Sequence, residues 1–433
     1  MSTCALTSLR LRGAVEVPGD KSISHRVLLM SLLATGESVV HNLSPCVDVC
    51  SSAEAVRALG GEVSTLRGGA LLVRGAAGRM PDCARVDCGN SGTTIRLLMG
   101  VLTGAPGSFM LDGDSSLRRR PMARVAEPLA RMGASIDCIN GCCPVSIRGC
   151  SPPRCLPEFA TPVPSAQLKS AVLLAGAQAE GGSTTVVEQH ESRDHTERLL
   201  EIFGAEVVRR GRRSCSVSRS DLRMPSGLRV PGDPSSAAFL LCAAAVLPDS
   251  EVSVPNALLS PSRTGFLRVL RRMGADVSVS LSGYYPEPHG AIRVRSGSRI
   301  GLRGCTVASR EVPSMIDEIP VLALVASQAR GRTLFKGLGE LRVKESDRLG
   351  AICGQLGRMG ASIHAEGDDL VVEGPCRLSP CAGLSSGSDH RIAMALSVAS
   401  LLAGSEFRSI AGEQSVAVSY PRFAEALEAL LEG

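Results

Sequence analysis

The sequence has 433 residues, 44% of them hydrophobic, and a formal net charge of only +5, which excludes a disordered chain and predicts a globular one with a large core. One core rarely serves so long a chain, so two domains of about 200 residues are expected. With no Trp, three Tyr and eight Phe, few rings exist to stack bases, and nucleic acid is not an expected partner.

The first 30 residues lack the apolar core and small-residue cleavage site of a secretory signal, and no apolar run approaches the length of a membrane span. A cytoplasmic monomer with no membrane partner is therefore expected. Sixteen Cys occur without regular spacing or any C-x-x-C, and the nearest grouping, Cys138, Cys142, Cys143, Cys150 and Cys155, has no His within it. Free thiols are expected there, with neither disulfides nor a metal. The 47 basic residues comprise 43 Arg and four Lys: Lys21, Lys169, Lys336 and Lys344. Arg binds as a fixed planar fork, whereas Lys is a point charge that can trade a proton, so each Lys invites a reason.

Along the chain one phrase recurs: Ala58-Leu-Gly-Gly-Glu-Val63, Arg131-Met-Gly-Ala-Ser-Ile136, Ile202-Phe-Gly-Ala-Glu-Val207, Arg272-Met-Gly-Ala-Asp-Val277 and Arg358-Met-Gly-Ala-Ser-Ile363. Each follows an apolar-periodic run and precedes alternating residues, which reads as helix, Gly C-cap, then strand. The glycines at 60, 133, 204, 274 and 360 are spaced by 73, 71, 70 and 86 residues, the mark of one repeated unit. The terminal run Phe423–Leu431 supplies the helix of a sixth.

A second feature alternates with the first. Pro18-Gly-Asp-Lys-Ser22, Cys88-Gly-Asn-Ser-Gly-Thr-Thr94, Pro162-Val-Pro-Ser-Ala-Gln167, Pro231-Gly-Asp-Pro-Ser-Ser236, Pro313-Ser-Met-Ile-Asp317 and Gly387-Ser-Asp-His-Arg391 each stand before an Ala/Leu-rich helix. Their Ser, Thr, Asp and Asn are helix caps, and a capped N-terminus is also a ready anion site. Val-Pro-Gly-Asp occurs at 17–20 and 230–233. If both copies mark crossings, residues 21–229 form one three-unit domain and 1–20 with 230–433 the other, with opposed helix N-termini around a cleft between them.

Strong cations gather at these turns: Lys21 and Arg26, Arg96, Arg118–Arg120, Lys169, then Lys344, Arg348 and Arg391. Such groups beside helix N-termini hold phosphates and carboxylates, so a substrate with several negative charges is implied. Among them lie Asp317-Glu318, Glu345 and Asp389, which can serve as ion-pair partners or as general bases.

Six segments then carry a resemblance. Pro18-Gly-Asp-Lys-Ser-Ile-Ser-His-Arg26, Gly89-Asn-Ser-Gly-Thr-Thr-Ile-Arg96, Arg120-Pro121, Ser165-Ala-Gln167, Arg342-Val-Lys-Glu-Ser-Asp-Arg348 and Asp389-His-Arg-Ile-Ala-Met394 resemble, in order, the signatures of the 5-enolpyruvylshikimate-3-phosphate synthase family. The Ser165–Gly176 run and Ser192-Arg-Asp-His-Thr-Glu197 look most like its second class. The resemblance implies an α/β fold, the inverse α/β barrel of six βαβαββ units, three per domain. It also implies transfer of the carboxyvinyl group of phosphoenolpyruvate to the 5-hydroxyl of shikimate 3-phosphate in aromatic amino-acid biosynthesis, with no cofactor, no metal and competitive inhibition by glyphosate.

Carried over by motif, Lys21, Gly92, Arg120, Gln167, Arg348 and Arg391 would hold phosphoenolpyruvate. Lys21, Ser22, Arg26, Ser165, Ala166, Gln167, Arg193, Asp317 and Lys344 would hold shikimate 3-phosphate. Asp317 would take the hydroxyl proton, and Glu345 with Lys21 would move the proton at C3. One departure is that many members have a Lys near the C-terminus where this chain has Val418. The related enolpyruvyl transferase acting on UDP-N-acetylglucosamine looks to a Cys where this chain has Ser115. RNA 3'-terminal phosphate cyclization needs a nucleotide-linked His, and His25, His195 and His390 all fall inside the synthase motifs. A non-catalytic anion-binding module is disfavoured by the complete charged set.

Overall fold

The computed structural model describes residues 9–163, 165–296, 301–406 and 410–432. Within them lie twelve α-helices: α1 (Lys21–Ser31), α2 (Val47–Ala58), α3 (Gly92–Thr103), α4 (Ala123–Arg131), α5 (Ala166–Gly176), α6 (His195–Ile202), α7 (Pro234–Val246), α8 (Gly265–Met273), α9 (Ile319–Ser327), α10 (Arg348–Arg358), α11 (His390–Leu402) and α12 (Phe423–Glu428). The chain forms two compact units, residues 19–231 and residues 1–18 with 232–433. It passes between them inside the two Val-Pro-Gly-Asp copies.

The odd- and even-numbered helices follow from two kinds of sequence. Pro-Ser-Ser-Ala-Ala-Phe-Leu-Leu-Cys-Ala-Ala-Ala-Val of α7 has no polar face, and its first twelve residues are buried; α1, α3, α5, α9 and α11 are buried nearly as completely. Small residues let these inner helices approach closely. A Cβ at Gly100 of α3 would stand 2.2 Å from the Ala171 carbonyl oxygen of α5, so only Gly fits that crossing. The even-numbered helices bury one face; in α8, Phe266, Leu267, Val269, Leu270 and Met273 are buried while Arg271 and Arg272 face water.

The repeated Gly ends each of α2, α4, α6, α8 and α10. Gly60, Gly133, Gly204, Gly274 and Gly360 all have φ between 91° and 113°, a region closed to most residues with a side chain. In four of the five, the residue after the Gly donates its N–H to the carbonyl five positions back, from Gly61 to Val56, Ala205 to Leu200, Ala275 to Leu270 and Ala361 to Leu356. That bond satisfies an orphan carbonyl and turns the chain into the following strand.

The unit of residues 19–231 contains three four-stranded mixed sheets. In one, Cys83–Asp87 runs parallel to Ser108–Asp112 across α3, and the hairpin of Ser135–Ile139 and Cys142–Arg148 adds antiparallel after α4. The order strand, helix, parallel strand, helix, hairpin is the βαβαββ unit. The other unit contains a four-stranded sheet of the same plan and a five-stranded sheet. In the latter, Arg10–Ala14 pairs with Glu251–Leu258 on one side and with the terminal Leu431–Glu432 on the other. The fold is α/β, and the run Phe423–Leu431 contains α12. No helix among the described residues is long and apolar enough to cross a membrane, and every Cys among them is a free thiol.

Candidate active site

All six turns singled out in the sequence lead into the inner, odd-numbered helices. Five are closed by a side-chain cap: Asp20 accepts from Ile23 N, Ser91 from Thr94 N, Ser165 from Leu168 N, Asp233 from Ser235 N and Asp389 from Arg391 N. The sixth departs from the pattern. Ile316–Glu318 forms a 3-10 turn before α9, and Pro320 occupies the first turn of that helix, where its missing N–H needs no partner.

In the unit of residues 19–231, side chains join the first turns of α1, α3 and α5. A buried chain runs from His25 Nδ1 to Ser52 Oγ at 2.7 Å, on to Thr94 Oγ1 at 2.7 Å and to Ser91 Oγ at 2.7 Å. Burial, reinforced by Lys21 and Arg26, holds the His25 pKa well below its usual value, so this imidazole is neutral. Lys21 Nζ lies 2.6 Å from Asp48 Oδ2 in the first turn of α2. Gln167 is fixed at both ends of its amide: Oε1 accepts from Arg96 Nη1 at 2.6 Å, and Nε2 donates to Thr93 Oγ1 at 2.9 Å. Arg96 also donates to the Pro121 carbonyl, and Arg120 donates to Asn90 Oδ1 at 2.7 Å. Gly92 opens α3 beneath both guanidinium groups, where a Cβ would stand 3.0 Å from Arg96 Nη1 and 3.2 Å from Arg120 Nη1.

Arg26 is placed differently from an exposed ligand-binding arginine. It is buried, with Nε donating to Thr196 Oγ1, Nη1 to the Ser22 carbonyl and Nη2 to Ser170 Oγ, so it fastens α1 to α5 and α6. Ser22, Ser165, Ala166, Gln167 and Arg193 are each partly exposed, as an approaching ligand requires.

In the other unit the centre is Arg348, 1% exposed. Its Nε donates to Asp389 Oδ2 at 2.8 Å, Nη1 to Asp317 Oδ1 at 3.1 Å and Nη2 to Glu345 Oε2 at 2.6 Å. Burial opposes the charge, but Asp389, Glu345 and Asp317 outweigh it and raise the guanidinium pKa above its usual value. The same Asp389 oxygen accepts from Ser346 Oγ at 2.9 Å, so one carboxylate both caps α11 and holds the loop before α10. Asp317, Lys344 and Glu345 are partly exposed. Arg391, 5% exposed, has Nε and Nη1 without a hydrogen-bond partner among the described residues, and its guanidinium carbon lies 5.9 Å from the Phe239 ring centroid. Buried donors left unmade are costly, and an anion would satisfy them. Val418, at the end of the 3-10 turn Glu413–Val418, is half-buried and offers no charge.

Next to Asp317, Glu318 is fully buried. Burial and the Asp317 charge raise its pKa, while Arg391 and Arg263 pull it down. It accepts from Ser235 Oγ, and Arg263 Nη2 reaches both Ser235 Oγ and Asp233 Oδ1. Asp48, Arg263 and Phe239 had no signal in the sequence, because their partners lie tens of residues away.

The EPSP synthase (3-phosphoshikimate 1-carboxyvinyltransferase) family model matches residues 7–427. The chain is 48% identical over 424 residues to the 3-phosphoshikimate 1-carboxyvinyltransferase of Gloeobacter violaceus, with 96% of each covered. It is 42% identical to that of Bacillus licheniformis, with 98% of each covered. A solved EPSP synthase from Acinetobacter baumannii superposes with a TM-score of 0.85 at 35% identity, covering 98% of this chain and 97% of the other. An enolpyruvyl transferase from Streptomyces tendae shares the fold at a TM-score of 0.76 and 18% identity, covering 97% of this chain and 95% of its own. The chain belongs to the EPSP synthase (3-phosphoshikimate 1-carboxyvinyltransferase) family of transferases.

Proposed function

We propose that this chain transfers the carboxyvinyl group of phosphoenolpyruvate to the 5-hydroxyl of shikimate 3-phosphate, with release of phosphate, in the shikimate pathway. The observation that carries the reading is the pairing of Arg391, buried with donors unmet, with an Arg348 that holds Asp317 and Glu345. Anion capture and proton transfer are thus provided by neighbouring groups on one set of helix starts.

Both substrates are polyanions, and two unit charges 4 Å apart interact by about 4 kcal/mol at an effective dielectric near 20. Cations must offset that before bonds form. On this reading Lys21, Arg120, Arg348 and Arg391, with Gly92 and Gln167, receive phosphoenolpyruvate. Lys21, Ser22, Ser165, Ala166, Gln167, Arg193, Asp317 and Lys344 receive shikimate 3-phosphate, and Arg26 contributes through its hold on α1, α5 and α6. Each terminal nitrogen of Arg348 keeps a second N–H for a substrate oxygen.

The chemistry is addition followed by elimination. Asp317 accepts the proton of the 5-hydroxyl as its oxygen attacks C2 of the enol, and Glu345, with Lys21, delivers a proton to C3. The tetrahedral intermediate then loses phosphate while a proton leaves the same C3 methyl to the same group. Phosphate release from purified protein tests this: release that needs both substrates is expected, and silence with both present would overturn it.

A further inference from the structure

Lys169 is 3% exposed, and its Nζ lies 2.8 Å from Glu188 Oε2 and 2.8 Å from Glu197 Oε1, both carboxylates being buried as well. Burial works against its charge, but Glu197 and Glu188 prevail and raise the ammonium pKa. What the two acids are attached to gives this triad meaning. Glu188 directly follows the strand Ser183–Val187, and Glu197 sits in the first turn of α6. The residues between them form the loop that carries Arg193, and Ser192 Oγ closes back onto the other Glu188 oxygen, Oε1. Lys169 itself lies on α5, its backbone N–H donating to the Ser165 carbonyl at 3.0 Å.

We infer that Lys169 is a positioning residue for shikimate 3-phosphate, its ammonium clamping both ends of the Arg193 loop against the helix whose first turn presents Ser165, Ala166 and Gln167. This rests on the proposed reading, in which Arg193 meets the substrate phosphate. Buried ion pairs contribute little net stability compared with apolar replacements, so a triad of this kind is better explained by geometry than by stability. Without the ammonium, two carboxylate oxygens no more than twice 2.8 Å apart repel each other, and the loop ends separate. Arg26 makes a different link, donating to Thr196 of α6 and Ser170 of α5.

The test separates loop placement from fold stability. Lys169→Met alone leaves two buried charges unpaired and risks misfolding, so the decisive variant is Lys169→Met with Glu188→Gln and Glu197→Gln, which removes charge and repulsion together. Its melting temperature is expected within a few degrees of wild type. Its KM for shikimate 3-phosphate should rise tenfold or more, that for phosphoenolpyruvate should change less than threefold, and adding Arg193→Ala should raise the former no further. A folded triple variant with native KM for shikimate 3-phosphate, or with both KM values raised alike, overturns the inference. Wild-type protein that shows no dependence on shikimate 3-phosphate would instead overturn the reading it rests on.

Discussion

Arg348→Met removes one buried cation from three carboxylates at once. The structure gives the size of the effect: Arg348 is 1% exposed, and each of its three nitrogens donates to a different acid within 3.1 Å. Breaking a buried ion pair from one side costs about 3–5 kcal/mol, since the partner charge stays behind. For a unit of this size about 2–4 °C of melting temperature accompanies each kcal/mol, so the transition of the unit holding Arg348 should fall by about 6–20 °C. Calorimetric scans measure the shift. Arg348→Lys should recover less than half the loss, because one ammonium cannot reach acids approached from three nitrogens. A Met variant within about 1 kcal/mol of wild type would refute the reasoning.

Asp317→Asn should lower kcat by about 100-fold with shikimate 3-phosphate binding retained, the scale of losing a general base; titration calorimetry and steady-state rates check it, and undiminished turnover would remove Asp317 from the mechanism. Gly92→Ala places a methyl 3.0 Å from Arg96 Nη1 and 3.2 Å from Arg120 Nη1, so KM for phosphoenolpyruvate should rise about tenfold, as expected for one displaced charged contact, with the KM for shikimate 3-phosphate nearly unchanged. His25 stays neutral when folded but charges near its usual pKa of 6.5 when unfolded. Stability should therefore drop as pH falls below that value, by up to about 1.4 kcal/mol per pH unit. His25→Gln should flatten this part of the stability curve, and parallel curves for the two proteins would show that another group sets the slope.

The fold was legible wherever a local rule acts alone. A Gly after an apolar run stops a helix because its positive φ excludes a Cβ, and Gly60, Gly133, Gly204, Gly274 and Gly360 all do so. The capped turns at Asp20, Ser91, Ser165, Asp233 and Asp389 were readable for the same reason, since a cap is decided within three residues. Partner choice was not readable. Lys21 meets Asp48 twenty-seven positions on, and Arg26 spends its donors on Thr196 and Ser170 rather than on solvent. Charge type and spacing show that an ion can be present at a turn, but which counter-ion it meets depends on which helices lie side by side. Lys169 shows the difference sharply: its rarity drew attention to it, yet only the meeting of α5 with α6 and with the end of the strand Ser183–Val187 reveals the two glutamates.

The two groups of residues also differ in kind, and that difference bears on how the proposed reaction is divided. At the starts of α1, α3 and α5, the guanidinium groups of Arg96 and Arg120 contact neutral amides, hydroxyls and carbonyls. Those acceptors are uncharged, while Lys21 at the start of α1 meets the carboxylate of Asp48. At Arg348 the balance is reversed, with three carboxylates around one guanidinium. On the proposed reading the acids of this group move protons once cations have drawn in the dianion. Arg391 supplies attraction beside it, because its Nε and Nη1 are buried without a hydrogen-bond partner among the described residues. On the proposed reading, Arg391→Met should therefore act chiefly on KM for phosphoenolpyruvate and Glu345→Gln chiefly on kcat. Measured with both substrates varied, the reverse assignment would show that the acids of this group bind substrate rather than move protons.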